Sequence, residues 1–141
     1  MQPLPASAAR NGFWLQSAAI LSLVAGLIHI LAAPPYFDIW VGYGLFFALA
    51  ITAQMTLAVV LWVYATVWDD RPRPGWLWAG ILGNGLIVAL WLFTRTLGIP
   101  PIGPQAGLVL PVGALDLISV VSEVGIILSL LLARRATTSP A

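Results

Sequence analysis

The chain contains no cysteine and no lysine, one histidine, and five acidic residues against six arginines in 141 residues. Without cysteine there is no disulfide scaffold, thiolate metal site or cysteine nucleophile. A formal charge of +1 leaves no basic surface for a nucleic-acid partner. Charged residues make up 8% of the chain, hydrophobic residues 60%, and the mean hydropathy is +0.97, which excludes a water-soluble globular domain. Motifs that announce chemistry are also missing: there is no nucleophile elbow, phosphate loop, zinc-binding helix motif or pair of haem-ligating histidines.

What is present is long apolar sequence. A membrane-crossing helix needs roughly 20 mostly apolar residues, and cutting the chain at its charges and prolines gives four such stretches, at about 13–33, 39–67, 76–98 and 113–134. The expectation is one all-α membrane domain over 1–141, an antiparallel bundle of four transmembrane helices with a Pro/Gly-rich outer loop at 99–113. The first stretch is too long for a signal peptide, Leu31 is bulky where a cleavage site needs a small residue, and Pro34 would follow the cut, so it reads as a retained helix. The fourth holds Asp116 and Glu123, yet its thirteen Leu, Ile and Val residues, at roughly −0.3 to −0.6 kcal/mol each, outweigh about +3 kcal/mol for a central acid.

Arginines fix the expected orientation, because cytoplasmic flanks carry the positive excess. Arg10, Arg71, Arg73, Arg134 and Arg135 fall on the side of both termini, and Arg95 alone falls on the other. Both termini are therefore expected in the cytoplasm. Trp14, Trp68, Trp76 and Trp78 then sit near the inner interface, and Tyr36 and Trp40 near the outer one. Residues 69–75 read as a solvated turn. The ends, before residue 12 and from Ala136, read as loosely ordered. Pro34-Pro35 predicts a sharp exit from the first helix, with Asp38 as the N-cap of the second. Residues 99–113 carry four prolines and three glycines but are otherwise apolar, as at Leu108-Val109-Leu110. Such a segment is expected to lie across the outer mouth of the bundle.

Helical spacing gives each span a polar stripe. The first carries Ser22, Gly26 and His29, and the second Tyr43, Phe47, Ala50 and Gln54. The third carries Asn84, Val88, Trp91 and Arg95, and the fourth Asp116 and Glu123 with Ser119 and Ser122 beside them. Polar groups facing hydrocarbon are costly, so four stripes should converge on the bundle interior. Counted from the outer span ends at about 1.5 Å per residue, His29, Tyr43, Arg95 and Asp116 lie at roughly 5 to 7 Å, Ser22 and Glu123 at about 15 Å, and Gln54 and Asn84 at about 21 to 23 Å. This layering predicts an outward-opening polar pocket whose ligand-binding residues are Glu123, Asp116, Arg95, His29, Tyr43, Gln54, Asn84 and Trp91.

Structural roles compete with that reading. Arg95 and Asp116 flank one loop at equal depth and suit an ion pair. A lone histidine near a helix end is more often a packing residue than a ligand. Gln54 and Asn84 suit interhelical hydrogen bonding, and Ser22, Gly26, Gly80 and Gly83 suit close packing. Glu123, a midplane carboxyl without an evident cationic partner, is the strongest functional candidate. No metal is expected, because the estimated depths separate Glu123 from His29, Asp116 and Asp38 by about two turns. No cofactor is assigned.

The residues from His29 to Phe37, the run Trp40-Val41-Gly42-Tyr43-Gly44-Leu45-Phe46-Phe47 with Gln54, and Arg95-Thr96-Leu97-Gly98-Ile99-Pro100-Pro101-Ile102-Gly103-Pro104 followed by Asp116 and Glu123 resemble a family of small bacterial four-helix membrane proteins of unassigned function. The layout is loosely similar to DoxX-like four-helix proteins, which are associated with membrane redox complexes. In the first family an acidic residue and a second histidine often follow the first proline. Here those positions are Pro35 and Tyr36, so a metal site built on that pair would lack half its ligands.

The expectation is thus a multi-pass protein of a bacterial inner membrane whose pocket takes a small amphiphilic or redox-active ligand, quinone-like or lipid-like. Its partners are the lipid bilayer, that ligand, and a membrane-complex partner or a second copy of the chain. Two other readings stand beside it: a structural or assembly subunit of a larger membrane complex, and a membrane-embedded enzyme using Glu123 as acid or base with Asp116, His29 and Tyr43 orienting the substrate.

Overall fold

The computed structural model describes the backbone of residues 6–67 and 72–138 and the side chains of 11–67 and 72–135. The side chain of Arg10, Trp68, the Asp69-Asp70-Arg71 part of the inner turn, and the chain ends lie outside the described residues. Four helices make up the fold: α1 Ala6–Ile39, α2 Val41–Thr66, α3 Pro74–Thr96 and α4 Ala114–Thr138. The shortest has 23 residues, about 35 Å at 1.5 Å per residue. Each is long and apolar enough to cross a membrane.

Cross-helix contacts give the order up, down, up, down. Ser22 of α1 meets Gln54 of α2, Asn84 of α3 meets Gln54, and Arg95 of α3 meets Asp116 at the start of α4. Helix α1 packs on α2 and α4, and α3 packs on α4. The backbones of α2 and α3 stay apart, so these two helices meet through side chains such as Gln54 and Asn84.

Burial is inverted relative to a soluble bundle. Ser22, Gln54, Asn84, Ser122 and Glu123 are buried, while Leu49, Leu86 and Val121 are about 70% exposed. Apolar outer faces suit hydrocarbon, and polar side chains are costly there unless turned inward. The half of the bundle near the chain termini is packed solid by Leu15, Ala18, Ala19, Leu57, Leu61, Leu77, Ile126, Leu130 and Ala133. Gly80 permits this packing, since a Cβ on it would lie 2.5 Å from Leu130 Cδ1. Gly83 has open space around it and plays no such role.

The first helix differs from expectation. Instead of ending at Pro34-Pro35, α1 runs through both prolines to Ile39 and meets α2 at Trp40 alone. The prolines remove the N–H groups that would bond the carbonyls of Ile30 and Leu31, a loss membrane helices tolerate when neighbours re-satisfy or cover the backbone. Aromatic packing holds the turn beyond them: Tyr36 stacks on Phe47 with centroids 4.5 Å apart, and Trp40 meets Tyr43 edge-on at 5.0 Å. Asp38 is consequently not the cap of α2. It is exposed in the last turn of α1, and Trp40 takes the N-cap position without a side-chain cap bond.

The connection from α3 to α4 is self-bonded. Gly98 turns the chain with a φ of +97° and donates its N–H to the Phe93 carbonyl at 3.1 Å. The Ile99 N–H then bonds the Leu108 carbonyl, and the Gly107 N–H bonds the Ile99 carbonyl, both at 2.9 Å. A Cβ on Gly98 would lie 2.5 Å from the Gly107 carbonyl oxygen, so the two arms of the loop can approach this closely only with glycine there. Ile99 is buried by this fold-back, whereas Leu108 and Val109 remain about half exposed.

Candidate functional site

Beyond the packed half, where the helices meet the α3–α4 connection, the bundle encloses a cavity of about 370 Å³. That is within the usual range for small-molecule sites. All four helices contribute to its wall. Ile28, Phe46, Phe47, Ile87, Leu90 and Val120 supply most of the apolar surface, and Ile99, Pro100, Ile102 and Leu110 of the connection border it at the outer end. Six of the eight residues singled out by spacing line it: His29, Tyr43, Trp91, Arg95, Asp116 and Glu123.

Gln54 and Asn84 do not. They lie deeper, in a hydrogen-bonded chain in which the Ser22 hydroxyl donates to Gln54 Oε1 at 2.5 Å, Gln54 Nε2 to Asn84 Oδ1 at 2.8 Å, and Asn84 Nδ2 to the Gly80 carbonyl at 2.7 Å. Each side-chain nitrogen and oxygen of the two amides has a partner within the protein, which makes them the tie across the α2–α3 gap rather than cavity lining.

His29 and Glu123 meet, against the estimate that set them two turns apart. His29 Nε2 lies 3.2 Å from Glu123 Oε1, and the two side chains are 7% and 1% exposed. The depth estimate failed because it counted from Pro34. Counted from the true end at Ile39, His29 lies about 15 Å down at 1.5 Å per residue, level with Glu123. Glu123 therefore has a partner on α1, and it also accepts a hydrogen bond from the Ser119 hydroxyl one turn earlier, at 3.1 Å. The imidazole N–H does not point along the line to the carboxylate, so the contact is a close polar approach without completed hydrogen-bond geometry. Phe47 meets the imidazole edge-on at 5.8 Å and fixes its plane.

Nearer the outer end, Arg95 Nη2 and Asp116 Oδ2 pair at 2.9 Å. Asp116 is held from a second side by the Gly113 N–H at 2.9 Å, half of a capping box at the start of α4. Arg95 Nη1 donates to Thr94 Oγ1 at 2.8 Å. The Tyr43 hydroxyl, which lines the cavity on α2, donates to the Ile102 carbonyl at 3.2 Å and ties α2 to the connection.

Two donors on α3 stay unused. Trp91 Nε1 and Arg95 Nε are buried without an acceptor in the protein, and His29 Nε2 is a third buried polar atom in that condition. All three residues line the cavity, although these three nitrogen atoms themselves have almost no accessible surface. Among the described residues no group of three His, Cys, Asp or Glu side chains comes together, so His29 and Glu123 alone do not make a metal centre. Tyr36, Trp40, Phe46 and Ser119 also line the cavity. Tyr36 and Trp40 read from sequence only as interface aromatics. Comparison with protein families, characterised proteins and solved structures finds no match to this chain, so its function rests on the site itself.

Proposed function

We propose that this protein binds a small amphiphilic or redox-active molecule, quinone-like or lipid-like, inside the membrane. The observation carrying this reading is a mainly apolar cavity of about 370 Å³ whose few polar lining residues include His29, Arg95, Asp116 and Glu123. Apolar walls with few oriented polar groups are the pattern of small-molecule sites. A ligand with an apolar body and a polar end suits such a lining. The arginine distribution supports placement in a bacterial inner membrane with both termini cytoplasmic.

Native mass spectrometry of the detergent-purified chain tests the proposal. A co-purifying amphiphile that raises the melting temperature when added back is the expected result. Glu123→Gln should keep the fold and abolish that stabilisation, since Glu123 lines the cavity. A chain that carries nothing, gains no stability from added quinones or lipids, and is isolated in a larger membrane assembly would replace this reading with that of a structural subunit.

A further inference from the structure

We infer that residues 99–110 of the α3–α4 connection form a hinged strap over the outer mouth of the cavity, held shut by the Tyr43 hydroxyl. The inference concerns entry to the cavity, goes beyond the ligand-binding reading, and holds whatever molecule occupies the site. Ile99, Pro100, Ile102 and Leu110 stand in the cavity wall, so the segment is part of what closes that end. Its own hydrogen bonds let it move as one piece. Two of them join its arms, from the Ile99 N–H to the Leu108 carbonyl and from the Gly107 N–H to the Ile99 carbonyl, and the Leu108 N–H bonds the Gln105 carbonyl at 3.0 Å.

The two edges of the strap are fastened unequally. On the α3 side the Gly98 N–H bonds the Phe93 carbonyl, the Leu110 N–H bonds the Thr94 carbonyl, both at 3.1 Å, and the Arg95 and Asp116 pair at 2.9 Å ties together the helix ends that carry the segment. On the α2 side Tyr43 makes the only hydrogen bonds to the strap among the described residues. Its hydroxyl donates to the Ile102 carbonyl at 3.2 Å and accepts the Gln105 N–H at 3.3 Å. Both are longer than the usual range, and neutral bonds of this kind contribute little net. Gly103 seats the strap between them at a φ of +93°, where a Cβ would lie 2.7 Å from the Tyr43 hydroxyl oxygen and 2.8 Å from Trp40 Cε3. A segment bonded to itself, anchored along one edge and held by two weak bonds along the other opens at the weak edge. Swinging about Gly98 and Leu110 uncovers the cavity from the α2 side without breaking any helix.

The test uses the full chain in lipid nanodiscs, where the lack of native cysteine lets a single thiol report on the cavity. Val120→Cys puts that thiol on the α4 wall, and the probe is a trimethylammonium thiosulfonate reagent, whose fixed charge keeps it out of hydrocarbon. With Tyr43 in place the thiol should react at least about tenfold more slowly than one on the exposed strap surface at Ala106→Cys. Tyr43→Phe, which keeps the ring and removes both hydrogen bonds, should speed modification of Val120→Cys about tenfold. Gly103→Ala, whose methyl group would press on Tyr43 and Trp40, should do the same with the hydroxyl present. A thiol at Val120→Cys as fast as the one at Ala106→Cys would show that the strap closes nothing. Rates unchanged by both variants, or a thiol unreactive throughout, would show that entry does not run past Tyr43. Where a variant fails to fold, hydrogen exchange on the unaltered chain decides: the Gln105 amide, bonded to Tyr43, should exchange at least about tenfold faster than the Leu110 amide at the hinge, and equal or stronger protection of Gln105 would overturn the free edge. No bound molecule enters these measurements, so failure of the strap and failure of the ligand-binding reading are separable.

Discussion

Removing His29 and Glu123 one at a time should destabilise the protein far more than removing both. Glu123 is 1% exposed and has two polar neighbours, His29 on α1 and Ser119 on its own helix. His29→Phe leaves the buried Glu123 carboxyl group with only the serine hydroxyl, and breaking a buried polar pair in this way costs up to about 3 to 5 kcal/mol in soluble proteins. Glu123→Leu takes from the buried imidazole its polar neighbour on α4, about 1 to 3 kcal/mol, while the Ser119 hydroxyl can turn back to its own helix backbone. The double variant leaves neither stranded group, and replacing both partners by apolar side chains of similar size is often near neutral. Membrane proteins show smaller couplings than soluble ones, because the unfolded chain in lipid also finds partners. After that discount the coupling should still exceed about 1 kcal/mol, a fivefold or greater effect on the folding equilibrium. Unfolding by titration with a denaturing detergent, followed by far-ultraviolet circular dichroism on all four proteins, measures it. Single effects that add to within about 0.5 kcal/mol would show that the two side chains are merely neighbours, and the assignment of His29 as the partner of Glu123 would fall.

Two further outcomes follow from the layering. Gln54→Leu should cost about 1 kcal/mol of stability, because Asn84 Oδ1 loses its donor. It should leave ligand affinity within twofold, since Gln54 lies below the cavity, and a tenfold loss of affinity would mean the site extends deeper than its lining residues indicate. The topology can be read by cysteine labelling without background, because the chain has no cysteine. A membrane-impermeant maleimide should modify Ala106→Cys in intact cells and Gly75→Cys only after permeabilisation; both positions are exposed. The reverse pattern would invert the proposed orientation.

Much of the architecture was legible before any coordinates. Four runs of apolar sequence, separated by charges and prolines, each exceed the length a bilayer requires, and a backbone in hydrocarbon has little choice but helix. The polar stripes were legible for the same reason: a residue such as Arg95 or Glu123 within an apolar helix has to turn inward, so spacing alone identified most of the polar residues that line the cavity. The pair Arg95 and Asp116 could be matched by depth because both helices end close to where their hydropathy ends.

Depth failed where the helix end was misjudged. Proline is a strong break signal in water, but the sequence does not reveal whether neighbouring aromatic rings will cover the freed carbonyls, and here Tyr36 on Phe47 and Trp40 on Tyr43 accompany a helix that continues to Ile39. That continuation of five residues moves His29 from the outer layer to the level of Glu123. Periodicity likewise gives the face on which a side chain lies but not its partner, so Gln54 and Asn84 were indistinguishable from cavity residues until their hydrogen bonds to each other and to Ser22 were seen. The sequence by itself determined the solvent, the number of spans and the inward turn of the polar residues, since each follows from the cost of polar groups in lipid. Which of those residues pair with one another was decided by tertiary structure, because pairing depends on helix ends and registers that are set by packing between helices.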